Sequence, residues 1–386
     1  MVFATTRGAT LTPNSLADLD QRLHALKALP IHRGRLLRAW LNGKPLGAGP
    51  RHQQQENFLP LSVRDGLPAL SEALDAAAQI HSQHPAADGS VRLLVRLVDG
   101  QMIESVLLPR DALCVSTQVG CAVGCRFCMT GKSGLIRQVS SLEIVAQVVL
   151  ARRIRPVKKV VFMGMGEPAH NLDNVLEAIN LLGTEGGIGH KNLVFSTVGD
   201  RRVFDLLPQQ RVRPALALSL HTTKAELREH LLPRAPKIAP EELMALGEAY
   251  ARKTGYPIQY QWTLLKGIND GQDELDAILR LFKGKYALLN LIPFNSLEGA
   301  GLAPGNGVSY ERPDAERIAE IVAYLRSHYV LTKVRNSAGQ DVDAGCGQLR
   351  ARAEGVAKPG VSRPGASCAR ELLPLADASN IDLSVI

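Results

Sequence analysis

No apolar run in the 386-residue chain approaches the roughly eighteen residues that a membrane-spanning helix needs. The opening stretch, MVFATTRGATLTPNSLADLDQRL, lacks a continuous apolar core, so no secretory signal is expected and the chain is expected to stay in a reducing cytoplasm. Aromatic residues are scarce, at 4%, which leaves no obvious stacking platform for long single strands. No solenoid-type repeat is visible. Acidic residues are outnumbered, 45 − 37 = 8, and the pI is about 9.2. That balance favours a polyanionic partner, nucleic acid first, although a basic enzyme without such a partner would carry the same charge.

What is present is a soluble composition, 45% hydrophobic and 21% charged. The length suits one large domain with a smaller one. Residues 15–44 read as two short amphipathic helices broken at Pro30, with Leu16, Leu19 and Leu23, then Leu36, Leu37, Trp40 and Leu41, at helical spacing. Arg33, Arg35 and Arg38 lie on the second helix, free to face phosphate or solvent. A loop follows, and residues 67–81 read as a further helix. A helical accessory domain is therefore expected over 1–88, a catalytic core over 89–350, and a flexible tail over 351–386 that is rich in Ala, Gly, Pro and Ser. VRLLVRLVDGQMIESVLLP alternates around Asp99-Gly100, a hairpin signal that suits a type I′ turn.

Beyond residue 134 short apolar runs alternate with amphipathic segments. The runs are KVVFMGMG, LVFSTVG, ALALSLH, IQYQWTLL, ALLNLIPF and VLTKVR. Ser140 and Glu143 form a capping-box pattern before one such segment, Leu142–Arg153. This rhythm implies a parallel sheet covered on both faces. The fold class expected is α/β: an incomplete (β/α)6 barrel preceded by a β-hairpin and a small helical domain.

Four of six cysteines fall at 114, 121, 125 and 128. In a reducing compartment such clustering indicates metal or redox chemistry rather than disulfides. A zinc site or a ferredoxin-type cluster wants four ligands, and Cys114 could supply the fourth. Cys121, Cys125 and Cys128 alone, spaced Cys-x3-Cys-x2-Cys, would leave one iron of a four-iron cluster open to S-adenosylmethionine. Such a cluster can pass an electron to the sulfonium and release a 5′-deoxyadenosyl radical. Phe127 between the last two cysteines fits that reading. The loop resembles that of the radical-SAM superfamily. GMGEP (164–168), whose glycines permit close backbone approach, STVG (196–199) and SLH (219–221) stand at strand ends, where barrel sites are built. Cys346 lies between Gly345 and Gly347 in polar surroundings, which suits an exposed loop better than the burial usual for a lone cysteine.

LCVSTQVGC with its two further cysteines, then GMGEP, STVG, SLH, LLKGIND, LIPFN and CGQLR, occur in an order that resembles the RlmN/Cfr family of radical-SAM RNA adenine methyltransferases. The likeness spans roughly 91–350 and extends weakly into LPIHRGRLLRAWL. It implies that Cys121, Cys125 and Cys128 hold a 4Fe-4S cluster. It implies that Gly166, Glu167, Ser196, Ser219, Leu220, His221 and Asn295 contact S-adenosylmethionine, two molecules being used per turnover. Cys346 would be methylated and its S-methyl group activated as a carbon radical, which adds to an adenine ring carbon. Cys114 would then attack the Cys346 sulfur, form a transient disulfide and free the base. Glu104 occupies the family's general-base position, although by position alone it reads as an exposed hairpin residue.

The resemblance further implies a cytoplasmic, monomeric enzyme acting on ribosomal or transfer RNA, with a reducing system such as flavodoxin and no membrane. Carbon 2 of adenosine is the commoner target and carbon 8 the Cfr variant; a non-catalytic iron–sulfur RNA-binding protein is the alternative of another class. Met129, the segment RNSAGQDVDAG before Cys346, and the tail with Cys368 depart from the family pattern.

Overall fold

The computed structural model describes residues 15–49, 54–132, 134–295 and 310–351. The expected tail, with Cys368, lies outside them. Helix α1 (Leu16–Ala25) starts at a capping box, the Ser15 hydroxyl accepting from the Asp18 amide and the Asp18 carboxylate from the Ser15 amide. Pro30 opens α2 (Pro30–Leu41), where its missing N–H costs nothing. Helix α3 (Leu61–Ala76) ends earlier than the sequence suggests. Residues 78–81, expected as helix, begin strand β1 (Ala78–Pro85), whose buried and less buried residues alternate with period two.

Strand β1 pairs antiparallel with β2 (Val91–Leu97), and β2 with β3 (Met102–Leu108). The hairpin forms where Asp99-Gly100 predicts it, with a different turn. The Gly100 amide donates to the Leu97 carbonyl, and of the two turn residues Gly100 alone is left-handed, φ +83°. That is a type I turn closed by a left-handed glycine, because type I′ would need Asp99 at positive φ as well.

Strand β4 (Ala112–Cys114) pairs antiparallel with β3 and parallel with β7 (Lys159–Phe162). Between them lie the small hairpin of β5 (Gln118–Gly120) and β6 (Leu135–Gln138), and helix α4 (Ser141–Ile154) with the expected Ser140–Glu143 capping box. The chain then alternates: α5 (Leu172–Thr184), β8 (Leu193–Thr197), α6 (Arg201–Leu206), β9 (Ala215–Ser219), α7 (Ala225–Leu231), α8 (Pro240–Thr254), β10 (Ile258–Leu264), α9 (Gln272–Phe282), β11 (Ala287–Pro293), α10 (Ala315–Ser327) and β12 (Thr332–Val334). One sheet runs β1-β2-β3-β4-β7-β8-β9-β10-β11-β12. From β4 to β12 every pairing is parallel. Six of these strands are the apolar runs of the sequence. The seventh, β4, has three residues and is too short to show a period. Strands β4 and β12 end the parallel part and do not pair, so the barrel is partial, as expected.

Fully buried Phe162, Phe195, Tyr260 and Trp262 lie on these strands. The apolar faces of α1, α2 and α3 join the same continuous core. The arginines of α2 have partners within the protein, at or near its surface. Arg33 holds Asp20 at 2.5 Å, Arg38 holds Glu185 at 2.6 Å, and Arg35 lies over the Phe58 ring at 5.0 Å. They tie the helices together and to the end of α5, rather than standing free for phosphate.

Candidate active site

The C-terminal ends of the parallel strands open into a cavity, the place that parallel β/α topology reserves for chemistry. Cys121, Cys125 and Cys128, from the loop after β4, all line it. The loop is held by the Cys121 amide donating to Gly134 and the Cys128 amide to Cys125, at 2.9 and 3.1 Å. Burial first pushes all three thiols upward, Cys121 to about 11, and for Cys121 and Cys125 the neighbouring thiols add to the shift. Among the described residues no three metal-binding side chains converge on one point, so a mononuclear zinc site is not preformed. Three thiols spread around one cavity fit a polynuclear iron–sulfur group, which ligates through thiolates and would relieve that penalty.

The turn Gly164–Pro168 after β7 lines the same cavity. A Cβ on Gly164 would lie 2.8 Å from the Val115 carbonyl, and one on Gly166, at φ +103°, 2.5 Å from Gln118 Cβ. These glycines thus let the turn lie against the chain leaving β4. The Gln118 side-chain oxygen accepts from the Glu167 amide at 2.8 Å, and the Glu167 carboxylate accepts from the amides of Ala169 and Val198 at 3.1 and 3.0 Å. Burial raises Glu167 to about 7 against those bonds.

Ser196, Ser219, His221 and Asn295 also line the cavity. Leu220 does not; its side chain is fully buried and its amide donates to the Gln261 carbonyl. His221 takes a left-handed backbone, φ +63°, a strain usually kept where surroundings over-determine it. Its Nδ1 accepts from the Thr263 amide at 3.0 Å, so its Nε2 carries the proton. Burial, then Arg228, hold its pKa near 3. The Phe127 ring meets it edge-on at 4.9 Å. Asn295 donates to Ser337 at 2.8 Å and to the Cys346 carbonyl at 3.0 Å. Its Oδ1, like Oε1 of Gln261 in the same cavity, is buried without a partner among the described residues. Orphaned acceptors beside three thiols fit a donor-rich cosubstrate such as S-adenosylmethionine.

Cys346 is exposed and lines this cavity and a second one beside it. The second cavity lies between β3, β4 and the chain after β12 and is lined by Cys114, Lys159, Arg335 and Gly345 among others. Cys114 is buried, and its thiol is pushed up to about 12 by burial and then by Cys346, with Arg335 pulling it down. Cys114 is thus on the side of Cys346 rather than among the three cysteines lining the first cavity.

Glu104 lines neither cavity. It is buried in β3, not exposed on the hairpin. One carboxylate oxygen accepts from Arg92 at 2.5 Å and the other from the Arg350 amide at 2.7 Å. Sequence reasoning missed Thr130, Gln261, Thr263 and Arg335, which all line the first cavity. Arg335 falls at the end of an apolar run, the one local signal available; Thr130, Gln261 and Thr263 carry none.

The Radical SAM superfamily is matched over residues 115–282. A probable RNA methyltransferase of Bordetella avium is 74% identical over 340 residues, covering 88% of this chain and 94% of that one. One of Pseudomonas aeruginosa is 69% identical, covering 87% and 95%. The crystal structure of a radical SAM methyltransferase from Sphaerobacter thermophilus superposes with TM-score 0.74 at 34% identity, covering 88% of this chain and 98% of that one. With three cysteines, the glycine turn and the Cys114–Cys346 cavity arranged as described, the chain belongs to the RlmN/Cfr-like family of radical-SAM methyltransferases.

Proposed function

We propose that this protein methylates an adenosine ring carbon, carbon 2 by preference, in ribosomal or transfer RNA. The observation that carries the reading is the meeting of Cys114 and Cys346, 346 − 114 = 232 residues apart, in a cavity that shares Cys346 with the three-cysteine cavity. A ring carbon flanked by two nitrogens is electrophilic, so polar methyl transfer to it fails. A methyl carried on a protein sulfur, delivered as carbon and then released by a second thiol, answers that difficulty.

Cys121, Cys125 and Cys128 would hold a 4Fe-4S cluster, and two S-adenosylmethionine molecules per turnover would supply the methyl group and one-electron chemistry. Gly166, Glu167, Ser196, Ser219, His221 and Asn295 would position the cosubstrate, with Leu220 contributing only backbone. Cys346 would carry the methyl group from the first cavity to the second. Cys114 would attack the Cys346 sulfur of the RNA adduct and leave a disulfide for a dithiol reductant to reopen. Glu104 sits at the family's general-base position, where the Arg92 and Arg350 bonds would favour its ionised form. The basic net charge, +8, and the relatives' names support RNA as substrate.

The test is the Cys114→Ala variant, loaded with cluster and incubated with S-adenosylmethionine and RNA. It should accumulate a covalent protein–RNA adduct through Cys346. Free turnover by that variant would remove Cys114 from the mechanism.

A further inference from the structure

We propose that Arg335 is a positioning residue that acts through Cys114, keeping a positive charge beside that thiol so that it attacks as a thiolate. The inference rests on the reading of Cys114 as the releasing thiol. Arg335 follows β12, and its amide donates to the Leu291 carbonyl at 2.8 Å, which fixes where it leaves the sheet. It lines both cavities, as Cys346 does, and shares the second with Cys114. The residue is half-buried, and its side chain carries no hydrogen bond or ion pair among the described residues.

The other charged or titratable groups lining the second cavity are Asp88, Arg110, Cys128, Lys159 and Cys346. Asp88 is occupied by Ser90 and by the Gly339 amide, at 2.9 Å each. Lys159 starts β7 opposite Ala112, at the far end of β4 from Cys114. Arg335 is the cation whose field acts on Cys114, opposing both burial and the Cys346 sulfur. Even beside Arg335 burial keeps the thiol up at about 12, so the thiolate is the minor form at neutral pH, and removing the positive charge would make that nucleophilic form scarcer still.

In the release step the Cys114 proton goes to solvent, and its sulfur forms a bond to the Cys346 sulfur. The bond from that sulfur to the RNA-linked methylene breaks, and its electron pair passes to the methylene carbon, which takes up a proton and becomes methyl. The two sulfurs are oxidised by two electrons and the carbon is reduced by the same two.

The test follows the lifetime of the protein–RNA adduct in single turnovers of the loaded enzyme across pH. Arg335→Gln should slow release about tenfold near neutral pH, equivalent to one unit in the thiol pKa, and move its pH dependence upward; Arg335→Lys should restore both. A second readout needs neither cofactor nor RNA: in a Cys346→Ala background, alkylation of Cys114 by a small reagent should shift to higher pH when Arg335 is replaced by Gln. Release at the unaltered rate, or an unmoved alkylation profile, overturns the assignment. Weaker RNA binding with unchanged release would make Arg335 a phosphate ligand instead. If Cys114→Ala itself traps no adduct, the reading of Cys114 has failed and this inference falls with it.

Discussion

The Met129 amide donates to the Gly347 carbonyl at 2.7 Å. The loop that carries the three cavity-lining cysteines is thereby bonded to the segment that carries Cys346, more than two hundred residues away in the chain. A second bond runs beside it, from the Thr130 hydroxyl to the Leu349 carbonyl at 2.7 Å, and both residues are buried. Asn295 on the Cys346 carbonyl and Glu104 on the Arg350 amide complete the hold.

Thr130→Val should therefore leave the buried Leu349 carbonyl without a donor, at a cost of about 1–3 kcal/mol. Denaturant melts should record that loss, and alkylation of Cys346 should quicken as its segment loosens. Thr130→Ser keeps the hydroxyl and should behave like the parent. Equal stability and reactivity in Thr130→Val would show that the bond holds nothing.

Reconstituted protein should carry about four irons per chain with the charge-transfer absorbance of an iron–sulfur cluster. Cys125→Ala should lose both, while Cys114→Ala keeps them, because Cys114 opens onto the second cavity rather than the first. Iron loss on replacing Cys114, or tightly held zinc in place of iron, would overturn the ligand set.

His221 gives a pH signature independent of any cofactor. Its pKa falls from 6.5 to about 3 on folding, so between those values the unfolded chain binds more protons than the folded one. Stability must then rise with pH through that window, by about 1.4 kcal/mol per pH unit at most, and is lost as pH falls from 6.5 toward 3. His221→Asn keeps an acceptor for the Thr263 amide and should flatten that slope. An unchanged slope, read from denaturant melts of parent and variant, would place the titration elsewhere.

The strand–helix alternation was legible because each β/α unit is local. A short, largely apolar strand followed by an amphipathic helix announces itself within a local stretch of chain. The helix read over 67–81 failed at its end because Gln79, His81 and Gln83 are polar at the solvent-facing positions of an edge strand, and polar alternation does not stand out from a helix terminus. Strand β4 was invisible at three residues. The arginines of α2 could be placed on a helix, but nothing local says that Asp20 and Glu185 neutralise two of them.

By itself the sequence determined the inventory: three closely spaced thiols, a glycine turn, strand-end serines and a histidine, and a late cysteine between two glycines. Those are properties of short segments, whose spacing limits what they can hold. Which thiol shares a cavity with which was decided by the tertiary structure. Cys114 stands seven residues from Cys121 and 232 from Cys346, yet it shares its cavity with the distant partner. Curvature of the parallel strands brings the chain after β12 back beside β4, and closure of that kind is the sum of every strand pairing between them rather than a feature of any one stretch of chain.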